Sequence, residues 1–143
     1  MKIRTATKDD IPSLISFWEK TDLHMKPKGR DKPENLEIQI QQSNMWILIA
    51  EEDASELVGA VIVTSDSRKG WINRLAVNPN HRRKGIANQL LIAAENSLKE
   101  NGITVYSALI EETNIASRNL FEKTGYNHIK GIVYYAKKIN PDC

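Results

Sequence analysis

The chain has 143 residues, 41% of them apolar, and its 20 basic and 18 acidic side chains leave a formal net charge of +2. That is enough chain for one domain with a proper core, too apolar for disorder, and too evenly charged to demand a nucleic-acid partner. The one cysteine, Cys143, can close no internal disulfide, and His24, His81 and His128 lie far apart, so neither a disulfide framework nor a metal site is expected.

The start, Met1-Lys2-Ile3-Arg4, carries no apolar signal segment, and no run approaches the roughly 20 apolar residues of a membrane span. A soluble cytoplasmic protein without a membrane partner is expected. Lys2–Ala6 reads as a short alternating strand. Thr7-Lys8-Asp9-Asp10 resembles a helix start, with an acidic residue three after the threonine. Ile11, Leu14, Ile15 and Trp18 follow at helical spacing, and Pro12 fits only a first turn, so a helix is predicted to end around Asp22. Residues 23–33, LHMKPKGRDKP, form a basic loop. Pro33 opens a second helix through Gln42, with Leu36, Ile40 and Ile38 as its apolar side. Trp46–Glu52 and Leu57–Thr64 read as paired strands across the turn Asp53–Glu56. Gly59 marks a bulge or a close approach.

After a turn at Ser65–Gly70 comes the stretch on which the rest depends. Trp71–Val77 is a strand, and Asn78-Pro79-Asn80 ends it. From Ile86 the period changes: Ile86, Leu90, Leu91, Ala94 and Leu98 recur at helical spacing, and Gly102 sits at the C-cap. Then follow a strand (Ile103–Ile110), a polar loop (residues 111–114), a short helix (Ile115–Thr124) with Ala116, Leu120 and Phe121 inward, and two last strands, Tyr126–Lys130 and Ile132–Ile139. Asn140–Cys143 reads as a frayed tail. The order βααβββαβαββ predicts a single α/β (α+β) domain over residues 1–143: a mixed sheet of about seven strands with about four helices on its faces.

Between strand and helix lies Arg82-Arg83-Lys84-Gly85-Ile86-Ala87. A helix start presents N–H groups without intrahelical acceptors and the positive end of the helix dipole. Gly85 lets a phosphate approach the backbone, and three cations stand beside it. The reading is a diphosphate cradle. A nucleotide-triphosphate P-loop is disfavoured, because no G-x-x-x-x-G-K-[ST] occurs.

RRKGIA fits the Q/R-x-x-G-x-G/A signature of the GNAT N-acetyltransferase superfamily, and INRLAVNPNHR resembles the strand before it. A second stretch, NIASRNLFEKTGY from Asn114 to Tyr126, is similar to the family's N-x-x-A/S-x-x-L-Y-x-K-x-G-F/Y segment. The resemblance covers nearly the whole chain. It implies acetyl-coenzyme A held by its pyrophosphate at Arg82, Arg83, Lys84, Gly85, Ile86 and Ala87, and a pantetheine arm pairing with the backbone of Leu75, Ala76 and Val77. It places Asn114, Ser117, Leu120, Phe121 and Lys123 along the same co-substrate.

The implied reaction is acetyl transfer to a primary amine by direct attack, the acceptor being a small molecule or a peptide. The resemblance gives the oxyanion a backbone donor, the N–H of Leu75 or Ala76. Two departures stand out. Phe121 replaces the tyrosine that many relatives use as the acid, leaving Tyr126, another tyrosine or water to protonate the thiolate. Asn73 stands where some relatives carry a basic glutamate. Glu111 and Glu112 are the candidate bases, acting through water, with Glu51 and Glu52 next. Lys28 and Arg30 would suit an acceptor bearing a carboxylate or phosphate. The departures keep a second reading open, a module that senses acetyl-coenzyme A without transferring anything. The resemblance also allows a homodimer.

Overall fold

The computed structural model describes residues 1–21 and 23–143. Its strands are β1 (Lys2–Thr5), β2 (Met45–Glu51), β3 (Leu57–Ser65), β4 (Gly70–Val77) and β5 (Tyr106–Ser107). Its α-helices are α1 (Ile11–Glu19), α2 (Pro33–Ile40), α3 (Ile86–Glu100) and α4 (Ile115–Lys123). The strands make one mixed sheet in chain order, antiparallel from β1 to β4, with β5 parallel to β4.

Alternation in β2 explains why the sheet is covered on both sides. Leu48 and Ala50 bury against one face, and Ile47 and Ile49 against the other. The first face is packed by α3, whose stripe of Ile86, Leu90, Leu91, Ala94 and Leu98 is buried, and by Phe121 of α4. The second takes α1 and α2 through Leu14, Phe17, Trp18 and Leu36. Gly59 is a close approach: a Cβ there would meet Leu90 Cδ1 at 2.9 Å. The start of α3 is thereby pressed onto the sheet beside β4. Val58 next to it is the extra residue of a bulge, since Ala50 pairs with Gly59 but Glu51 with Leu57.

The sheet has five strands where about seven were expected. Ile103–Ile110 is a strand only at Tyr106–Ser107, and neither Tyr126–Lys130 nor Ile132–Ile139 joins the sheet. A strand needs a partner ladder as well as a suitable sequence, and residues 127–139 make no hydrogen bond among the described residues. The end is not frayed: the amides of Asp142 and Cys143 turn back onto Asn140, and the Asp142 carbonyl packs on Gly29. Helix α1 stops at Glu19, and the end expected around Asp22 lies outside the described residues. In α2, Leu36 alone is buried and Ile38 is exposed; in α4 Ala116 is exposed.

The entry to α1 is fixed by charge. Asp10 accepts two bonds of 2.8 Å from the Arg4 guanidinium and one of 2.7 Å from the Thr7 amide. The Arg4 bonds hold the Asp10 carboxyl down at about 2. A depressed carboxyl adds stability above its unfolded value near 4, and the gain fades as pH falls toward 2. Asp10→Asn is therefore expected to lose about 1–2 kcal/mol at neutral pH. Urea unfolding at pH 7 and pH 2.5 should show the gap closing in acid.

Candidate active site

Strand β4 starts with a partner on each side, meeting β5 at Gly70 with Tyr106 and at Trp71 with Ser107. It then changes course at Arg74, which has a φ of 51°. Arg74 and Leu75 together face one residue of β3, because Ala60 pairs with Ala76 but Ile62 with Asn73. Such a bulge bends its strand and sharpens the twist. Beyond Trp71 no ladder joins β4 to β5, so the two strands part.

A left-handed arginine is strained, at a cost on the order of 1–2 kcal/mol. Its side chain is held to match. The guanidinium gives Asp31 two bonds, of 2.7 and 2.6 Å, and lies 5.1 Å from the centre of the Trp18 ring. It also reaches the His24 carbonyl at 3.4 Å. Burial alone would raise the Asp31 carboxyl, but the Arg74 bonds and the Lys26 amide at 2.6 Å outweigh it and hold it below the usual range. The loop after α1 is thus clamped to the bend in β4.

The parting strands open a groove of about 870 Å³. Leu75, Ala76 and Val77 form one wall. Arg82, Arg83, Gly85, Ile86 and Ala87 form its floor at the start of α3, and Asn114, Ser117, Leu120 and Lys123 of α4 form the facing wall. Thirteen residues were expected at the co-substrate from sequence; Lys84 and Phe121 are the two that do not line this groove. Lys84 is exposed beside it, and Phe121 is buried beneath it, edge-on to Tyr126 at 4.8 Å.

The floor has the chemistry of an anion site. Arg83 and Gly85 have φ values of 68° and 77°, on either side of a lysine outside the left-handed region. That alternation turns successive N–H groups toward one concavity. Gly85 is the N-cap of α3 and supplies no side-chain bond to its first amides. A Cβ at Gly85 would meet nothing within 4 Å, so the space above the backbone is open. On the facing wall the Asn114 carbonyl oxygen caps α4 by accepting from the Ser117 amide at 3.1 Å. Its side-chain NH₂ has no partner among the described residues.

The catalytic candidates separate. Glu111 lines the groove mouth, 3.4 Å from His24 Nε2, with both side chains open to solvent. Glu112 does not line it; its carbonyl accepts from Arg118 at 3.0 Å. Glu51 is occupied by Arg4, and Glu52 is away from the groove. The Tyr126 hydroxyl donates to Glu95 at 2.6 Å, and burial together with that carboxylate pushes the phenol well above its ordinary value. It does not line the groove and is a poor proton donor. Lys28 and Arg30 are exposed on the clamped loop, whose Leu23, like Thr21 just before it, does reach the groove.

A family model described as the acetyltransferase (GNAT) family matches residues 12–126. The chain belongs to the GNAT acetyltransferase family. An acetyltransferase of Pectobacterium atrosepticum is 31% identical over 129 residues, covering 90% of this chain and 89% of that one. Among solved structures, an aminoglycoside 6′-N-acetyltransferase of Acinetobacter haemolyticus has the same fold, with a TM-score of 0.79, 19% identity, and 98% and 100% of the two chains covered. A predicted acetyltransferase of Clostridium acetobutylicum, solved with acetyl-CoA, gives 0.76 at 19% identity, covering 94% and 95%.

Within this GNAT chain, three features of the site escaped the sequence reading. The Arg74–Asp31 clamp joins residues 43 apart, and its one trace was a charged residue inside an apolar strand. His24 looked like a loop histidine. His81 lines the groove with Nδ1 buried and without a partner among the described residues; its only signal was its place next to the basic run.

Proposed function

We propose that the chain binds acetyl-coenzyme A in the groove between β4 and β5 and passes the acetyl group to a small polar amine. The observation that carries the reading is the open, uncapped start of α3 on the floor of a groove walled by an unpaired strand edge. The free amides of α3, Arg82 and Arg83 suit a diphosphate, and the edge from Leu75 to Val77 suits an amide-bearing arm that pairs as a strand would. The acetyl-CoA complex of the Clostridium acetobutylicum protein supports the choice of donor.

Bound there, the thioester supplies an activated carbonyl and a thiolate leaving group. The Leu75 N–H, just past the bulge, is the proposed donor to the developing oxyanion. Asn114 NH₂ steadies the arm from the facing wall. Glu111 takes the proton of the incoming ammonium, directly or through one water. No groove-facing tyrosine is available as acid, and none is required, because a thiol with a pKa of about 8.5 leaves tolerably as thiolate near neutral pH. The carboxylate and imidazole at the mouth favour a cationic acceptor, and the aminoglycoside enzyme with the same fold points to small amines as the first to try.

Thiol release measured across a panel of amines, beside a coenzyme-A binding titration, tests this. Tight binding with no turnover on any amine would replace it with the sensor reading. Once an acceptor is found, Glu111→Gln is expected to lower kcat/KM about 10²-fold and to steepen its rise with pH, because the amine must then arrive already neutral. An unchanged profile would move the base elsewhere.

A further inference from the structure

Residues 127–139, NHIKGIVYYAKKI, stand apart from everything above. Each is exposed, and none hydrogen-bonds the rest of the chain among the described residues. Yet the segment is tethered at both ends. Tyr126 is fixed by Glu95 and Phe121 before it, and Asp142 rests on Gly29 after it. It is an arm, not a tail.

Its composition is wrong for a solvated arm. Ile129, Ile132, Val133, Tyr134, Tyr135 and Ile139 are 63–88% exposed. Together they show on the order of 1,000 Å² to water, where a stable complex buries about 800 Å² per partner and a monomer rarely exposes an apolar patch beyond a few hundred. β-branched and aromatic residues of this kind suit a pleated, half-buried strand.

The same molecule carries an edge that wants such a strand. The two ends of the sheet are treated differently. β1 is guarded by Lys2 and Arg4, charges of the kind that blunt an edge. β5 is not: its flanks expose Val105 and Leu109, and its outer side has no neighbour. Charge also matches, since the arm bears Lys130, Lys137 and Lys138 with no acidic residue, while the chain after β5 runs into Glu111-Glu112.

We propose that the arm pairs with β5 of a second copy of this chain, and the copy's arm with β5 of the first. The exchange is two-fold symmetric, so every contact is made twice. It supplies the arm with a ladder, extends β5 over the strand-like stretch 103–110, and covers both apolar surfaces. It does not depend on the identity of the acceptor or on acetyl transfer.

Light scattering on the full chain, from about 1 to 100 µM, together with amide hydrogen exchange, tests the proposal. Twice the single-chain mass is expected, with amides 129–139 protected. Val133→Asp with Tyr135→Asp should give single-chain mass and lose that protection, while helix content and coenzyme-A affinity stay within about twofold. A wild-type protein of single-chain mass overturns the proposal; protected arm amides in that species would show the arm folded onto its own β5. A dimer that survives both substitutions also overturns it, by placing the interface elsewhere.

Discussion

Gly85→Glu is expected to weaken coenzyme-A binding at least about 100-fold, close to 2.8 kcal/mol, with the fold left in place. The glycine is the N-cap of α3, at a φ of 77°, with open space where a Cβ would stand. A glutamate there meets no protein atom, so the free protein suffers only backbone strain, on the order of 1–2 kcal/mol. The ligand suffers more. The side chain enters the volume the diphosphate would fill and sets a carboxylate against it where the helix dipole had favoured negative charge. Gly85→Ala separates the two effects, since it carries the same strain without the charge and most of the bulk. Calorimetric titration with coenzyme A, beside thermal unfolding followed by circular dichroism, reads both. Similar falls in Tm with a far greater loss of affinity in the glutamate variant are expected. Unchanged binding would take Gly85 out of the cradle.

The cradle could be read from sequence because it is local. A strand, a turn, a glycine and an amphipathic helix follow one another within about thirty residues, and each leaves a periodic or compositional mark. The facing wall was readable for the same reason: Asn114 caps its own helix, and that helix carries the rest of the wall. What was not readable depends on distant partners. No pattern marks Arg74 as the residue that turns left-handed, because the bulge is a mismatch of register with β3 and is held by an aspartate on another loop. The two last strands failed for the opposite reason. Ile132–Ile139 has a strand's composition, but composition states a preference and cannot supply the neighbouring edge. Phe121 was placed correctly on the inward side of its helix, yet one layer too near the ligand, since Leu120 meets the groove and Phe121 the core.

The clamp that escaped the sequence also carries the largest expected stability effect. Asp31→Ala leaves the Arg74 guanidinium, 12% exposed, without its carboxylate. Removing one partner of such a buried pair costs about 3–5 kcal/mol, because the remaining charge stays desolvated and unpaired. The stacking on Trp18 recovers only part of that. Asp31→Leu with Arg74→Met removes both charges, and is expected to recover most of the stability while leaving the bulge without its anchor. The two variants therefore divide stability from geometry. Urea unfolding should rank them wild type, then double variant, then single. Kinetics should rank the double variant low all the same, with KM for the amine raised more than KM for acetyl-coenzyme A, because the loop bearing His24 is no longer tied to β4. The single variant should also lose the acid sensitivity that this carboxylate gives the wild type. Its depressed pKa makes the pair fully stabilising above about pH 4 and progressively less so below. If the double variant kept wild-type KM for the amine, the clamp would be a matter of stability alone, and the bend in β4 would have to be set by the packing of Leu75 and Val61 across the bulge.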